Sequence, residues 1–219
     1  LAQDFGVAPG GLAPACIKRA AALPVMEGCR PNYEEVVDMA EPFMNTPPKP
    51  EKLGAMTEEF IKTAFAGESQ ASQKYLAFAA KAREEGLPNV ARLFEAVAFA
   101  ESTHARNHLS VLGGIGGTLD NLGAAFGGET FEIDEMYPAY DTVAKMQGAS
   151  EAVTSIRYAK TAEQDHQAIY EAARATVQGG ADLAAGPIHV CPICGHTVIG
   201  DAPAECPVCG THGQFFRAF

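Results

Sequence analysis

The chain has no tryptophan and is poor in cations: Lys and Arg number 16 against 27 Asp and Glu, for a formal net charge of −11. That balance argues against nucleic acid or an anionic membrane surface as a partner. No apolar run approaches the roughly 20 residues needed to span a bilayer. Glycine is abundant, but the run at 113–117 fits neither GxGxxG nor GxxxxGK(S/T) and follows no strand pattern, so it is not read as a phosphate cradle. The six cysteines lack the even spread of a disulfide scaffold. Cys16 and Cys29 stand far upstream, and the other four form two Cys-x-x-Cys pairs near the end. The first residue is Leu1 rather than Met, which leaves a removed export signal open.

What is present supports a packed protein. Hydrophobic residues make up 47% of the 219, enough for one sizeable domain plus a small one. Residues 1–56 are rich in Pro, Gly and Ala and read as a loosely structured arm, with a short helix near 33–39 that ends before the prolines at 47, 48 and 50. Helical spacing of apolar residues then predicts a helix opening at Met56, with Thr57 as its N-cap, and broken at 86–89. Further helices are predicted at 90–112, 129–147 and 151–177, with 113–128 as a glycine-rich crossover. Two short-loop helix pairs joined by one long crossover is the connectivity of a ferritin-like four-helix bundle, here spanning 57–180. Residues 187–219 are turn-rich and hold the paired cysteines, so a small β-rich domain is expected there.

The strongest chemical signal is a repeated one. Glu101-Ser-Thr-His104 lies on the second predicted helix and Glu163-Gln-Asp-His166 on the fourth, each Glu one turn from its His on the apolar face. An ionised Glu facing a core costs several kcal/mol unless it is paired or metal-bound. Glu68 and Glu129 offer one further carboxylate each from the first and third helices. One Glu from each of two helices, plus Glu-x-x-His from each of the other two, is the ligand set of di-iron and di-manganese bundles. Oxygen ligands with one imidazole per metal suit iron or manganese better than copper. His108 shares the inner face but has no counterpart on the fourth helix, and reads as a hydrogen-bonded histidine instead.

The tail carries near copies, Cys191-Pro-Ile-Cys194-Gly195 and Cys206-Pro-Val-Cys209-Gly210. Each loop aims two thiolates at one point, and together they make a four-sulfur metal site. Zinc there is an inert clip, and iron is a one-electron carrier. Attachment to a di-iron bundle, which must receive electrons, favours iron.

These residues resemble the rubrerythrins over about 57–219. The stretch Ala66-Gly67-Glu68-Ser69-Gln70-Ala71 is similar to that family's first ligand helix, and Glu101-x-x-His104 to its second. Gly128-Glu129-Thr-Phe-Glu132-Ile-Asp-Glu-Met136-Tyr137-Pro138 is similar to its third, and Glu163-x-x-His166 to its fourth. The resemblance implies Glu132 as an added carboxylate ligand that exchanges with His104 on one iron as the redox state changes. It also implies that Tyr75 and Tyr137 lie near the di-iron site, where ordinary core packing is the alternative role for each.

By the same resemblance, the expected activity is reduction of hydrogen peroxide to water at the di-iron site. Electrons would be relayed through the iron of Cys191, Cys194, Cys206 and Cys209, and supplied by a rubredoxin or reductase. A homodimer is expected, domain-swapped in some arrangements, with one chain's tail near the other chain's bundle. Two other readings stay open: a ferritin-type protein that oxidises and stores iron, and a non-catalytic metal sensor with zinc in the tail. The family's usual cytoplasmic setting is the expectation, with an exported protein left open by Leu1, Cys16 and Cys29.

Overall fold

A computed structural model of the protein describes residues 48–219. The short helix expected at 33–39, Cys16 and Cys29 lie outside the described residues. Helix α1 covers Ala55–Glu84 and α2 covers Pro88–Val111. Then come α3 (Thr118–Phe131), a π-helical turn (Glu132–Met136), α4 (Tyr137–Met146) and α5 (Ser150–Gln178). The tail holds β1 (Ile188–Val190), β2 (Thr197–Ile199) and β3 (Arg217–Ala218) in one antiparallel sheet of order β2-β1-β3.

The helices form two hairpins. α1 packs along α2, and α3, the π turn and α4 together run back along α5. Alanines make the seams: Ala79, Ala82, Ala91, Ala98 and Ala105 in the first hairpin, Ala144, Ala162 and Ala173 in the second, all buried. Small side chains let the two backbones of a pair approach closely, but they bury little apolar area. Large side chains remain on the outside, among them Phe60 at 64% exposure, Leu93 at 61% and Met146 at 83%. Helix stability in proteins comes mostly from packing an apolar face, and these faces are only half used within one chain.

Three sequence expectations change in detail. Thr57 does not cap α1. The helix starts at Ala55 behind an extended Gly54, whose carbonyl accepts the Glu58 N–H, and Thr57 sits exposed in the first turn. The crossover is confined to 112–117, because the glycine-rich stretch beyond it is helical from Thr118 onward. Packing of Leu122, Ala125 and Phe126 in the α3–α5 hairpin outweighs the roughly 1 kcal/mol that each helical glycine costs relative to alanine. The third helix is also not uniform, since a π turn interrupts it just before Pro138. Proline has no N–H to give the carbonyl four residues back, and the Tyr137 N–H bonds the Glu132 carbonyl across the wider turn.

Candidate metal centres

On the first hairpin, Glu68 from α1 meets Glu101 and His104 from α2. Their ligand atoms lie within 4.8 Å of one another. His104 Nδ1 stands 3.2 Å from Glu101 Oε2 and 4.0 Å from Glu68 Oε2. Glu68 is raised above the usual carboxylate range because it shares a proton with Glu101, with partial desolvation and the Glu101 charge adding to the effect. Glu101 is held low by the same hydrogen bond. His108 also faces this group and lowers Glu68 slightly by its charge.

On the second hairpin, Glu129 from α3 meets Glu163 and His166 from α5, again within 4.8 Å. His166 Nδ1 stands 2.6 Å from Glu163 Oε2 and 3.9 Å from Glu129 Oε1. Burial, then the charge of Glu163, pushes Glu129 up to about 7. Glu132, the first residue of the π turn, is raised by burial and by Glu163. Burial also raises the Tyr137 hydroxyl, with Glu132, Glu163 and Glu129 adding to it, so this tyrosine belongs to the same electrostatic neighbourhood. Tyr75 lies instead in an aromatic cluster of the first hairpin, its ring centroid 6.2 Å from those of both Phe78 and Phe94. In both clusters carboxylates crowd together, and one of each pair, Glu68 and Glu129, is raised. A cation would relieve that crowding, and the donor set of oxygens with one imidazole fits iron.

In the tail, all four thiols converge within 4.8 Å. Cys191 Sγ is 3.6 Å from Cys209 Sγ, and Cys194 Sγ is 3.4 Å from Cys206 Sγ. A tetrahedral metal with bonds of about 2.3 Å separates its sulfurs by about 3.8 Å, so the pocket is near the size such an ion needs. Gly195 and Gly210 take φ of +81° and +76°, a backbone that side-chain-bearing residues adopt only with strain. The turn returns the Gly195 N–H to the Cys191 carbonyl and the Gly210 N–H to the Cys206 carbonyl. Burial raises the Cys194 and Cys206 thiols. Burial also pushes Cys209 up, but hydrogen bonds from the Thr211 side chain and backbone overcome it and leave it at about 6. A bound cation offsets the cost of keeping such buried sulfurs ionised.

The tail rests on its own chain's α5, next to the second cluster. His196 Nδ1 is 2.6 Å from Asp165 Oδ2. Thr197 Oγ1 is 3.0 Å from His166 Nε2 and donates to the Gly195 carbonyl at 2.9 Å. A continuous hydrogen-bonded path therefore joins the first cysteine knuckle to the imidazole of the second cluster. Sequence reasoning missed Thr197, Asp165 and His196. The available signal was a break in the internal repeat, since Gly195 is followed by His-Thr and Gly210 by Thr-His.

Two helix pairs with mirrored Glu/Glu/His clusters, joined to a four-cysteine knuckle, define a ferritin-like carboxylate protein with a four-cysteine tail. A sequence profile described as Rubrerythrin matches residues 59–174. The chain is 36% identical to Rubrerythrin-2 of Clostridium acetobutylicum over 179 residues, which is 75% of this chain and 97% of that protein. It is 35% identical to nigerythrin of Nitratidesulfovibrio vulgaris over 74% of this chain and 86% of that one. A solved structure of nigerythrin in a partially reduced state aligns with a TM-score of 0.46 at 33% identity, covering 78% of this chain and 90% of that chain. The chain belongs to the rubrerythrin family. It is a non-haem di-iron protein with an oxidoreductase role, with iron in the carboxylate–histidine centre and in the four-cysteine site.

Proposed function

We propose that the protein reduces hydrogen peroxide to water, taking up two electrons and two protons per peroxide, with electrons relayed from a donor protein through the four-cysteine iron. The observation that carries this reading is the Thr197 bridge, which ties an electron-carrier site directly to a candidate di-iron ligand. In the proposed division of labour, 57–180 holds the di-iron centre, 187–219 holds the carrier, and 1–56 is an extension with no assigned part.

Glu68, Glu101, His104, Glu129, Glu132, Glu163 and His166 are the proposed di-iron ligands, and Cys191, Cys194, Cys206 and Cys209 hold the single iron. When bound, the iron pair supplies two electrons and a Lewis-acidic surface for peroxide. Tyr137 keeps its proton beside the carboxylates, because burial and their charge raise it, and so it would serve as a hydrogen-bond donor in this neighbourhood. Thr197 fixes the His166 ring by bonding its Nε2, which leaves Nδ1 toward Glu163 for the metal. The chain acts as a homodimer in this reading.

The test is stopped-flow mixing of anaerobically reduced protein with hydrogen peroxide, following the visible band of ferric four-sulfur iron. Fast return of colour, at one peroxide per two electrons and faster than with dioxygen, is the expected result. Rapid return with dioxygen and slow return with peroxide would make the protein an oxidase. A colourless protein would place zinc in the tail.

A further inference from the structure

Asp165 lies on α5, one residue before the proposed iron ligand His166, yet its partner is in the tail. The His196 Nδ1–H donates to Asp165 Oδ2 at 2.6 Å, and the His196 side chain is only 12% exposed. A pair this short and this far from solvent fixes a geometry, whereas an exposed pair contributes little. Phe216 closes on the imidazole edge-on, with ring centroids 6.4 Å apart and planes at 87°.

The backbone of His196 serves the cysteines at the same time. Its carbonyl accepts the Cys191 N–H at 2.9 Å. Burial raises the Cys194 thiol, and a hydrogen bond from the His196 backbone opposes that rise. One residue thus touches both cysteines of the first knuckle through its main chain and the bundle through its side chain. At the matching place in the second knuckle, the Thr211 hydroxyl turns back onto the Cys209 sulfur at 3.1 Å instead.

The seat extends to both sides of Asp165. Tyr158, Ala162, Asp165 and His166 stand at i, i+4, i+7 and i+8, along one face of α5. Tyr158 packs against the cysteine cluster. Ala162 is buried, and a Cβ at Gly195 would lie 3.6 Å from that of Ala162, so the knuckle backbone rests on a small side chain. The only covalent tie between α5 and β1 is the segment 179–187, which holds neither helix nor strand.

We propose that Asp165 is a positioning residue for electron transfer: through His196 it seats the first cysteine knuckle on α5 and holds the four-sulfur iron at a fixed approach to the centre of Glu129, Glu163 and His166. The inference rests on the relay reading above and names the contact that orients the relay. Each transfer takes one electron from ferrous iron in the tail to ferric iron in the pair, so two transfers restore a pair oxidised by one peroxide. Without the seat the tail keeps its metal and its access to the donor, and loses its fixed approach.

Asp165→Ala and Asp165→Asn test this in the full chain. Asparagine keeps an oxygen that accepts the His196 N–H, and alanine keeps the helix and loses the acceptor. The first readout is the return of ferric four-sulfur colour after hydrogen peroxide has oxidised the iron pair of fully reduced protein. Asp165→Ala is expected to be slower by about 10-fold or more, with Asp165→Asn near the wild-type rate. Iron content and reduction of the tail by dithionite should be unchanged in both. The second readout needs no turnover: amide hydrogen exchange across 188–199 should be faster in Asp165→Ala than in Asp165→Asn or the wild type. A wild-type rate in Asp165→Ala, or an asparagine chain as slow as the alanine one, overturns the positioning role and leaves the relay intact. A wild-type tail that stays ferrous after the pair is oxidised overturns the relay itself. Faster exchange confined to Asp165→Ala would then still support the seat, and equal exchange in all three chains would overturn it.

Discussion

The two Glu/Glu/His clusters have the same chemistry and different surroundings. The first is open: the His104 side chain is 54% exposed and its hydrogen bond goes to Glu101, one turn away. The second is half-buried: the His166 side chain is 28% exposed, Thr197 holds its far nitrogen, and Gln167 bonds Thr130 across the same hairpin. Identical ligand types therefore meet different electrostatics. Glu129 is pushed to about 7 chiefly by burial, whereas Glu68 is raised chiefly by sharing a proton with Glu101. The second cluster is organised by the tail of its own chain, and the first is the more open to solvent.

The sharpest way to break this comparison is to remove one carboxylate from each side. Glu101→Ala and Glu163→Ala are both expected to lose the carboxylate-bound iron and keep the tail iron, measured as iron per chain. Retention of the iron pair in Glu101→Ala would exclude the open cluster from the centre. Next in size, Cys194→Ser leaves the carboxylate-bound iron in place and abolishes turnover linked to the donor protein, while reduction by a small chemical reductant persists. Unchanged donor-linked turnover would make the tail a structural clip.

A smaller effect separates the two histidines. Thr197→Val removes the hydrogen bond to His166 and keeps the shape, with an expected loss of about 10- to 100-fold in iron affinity or activity. Thr197→Ser should restore most of it, whereas a defect of packing alone would leave serine no better than valine. The smallest change is Gly127→Ala on α3, where a Cβ meets nothing within 4 Å. It should raise stability by up to about 1 kcal/mol, read from the urea midpoint.

Much of this was legible in the sequence, and the reasons differ by feature. The Glu-x-x-His pairs were visible because helical spacing turns two letters into one side of one helix. The cysteine knuckles were visible because their glycines and spacing repeat. The start of α3 was hidden because glycine content suggests a loop, and only packing on α5 shows why the stretch is helical. Thr197 was hidden because its partner, His166, lies far away in the chain, and no local pattern encodes a contact across that distance.

The π turn has a consequence for how this protein can vary. Glu132–Met136 holds one residue beyond what an α-helical turn needs, and removing it rotates everything beyond by about 100° relative to Glu129. Asp134 and Glu135 are exposed and should accept most substitutions. Deletion of either would carry Tyr137 and α4 around the helix axis and out of register with Glu163. At this point in the chain the count of residues is under tighter constraint than their identity, so insertions and deletions should be purged here while point changes at these two positions persist.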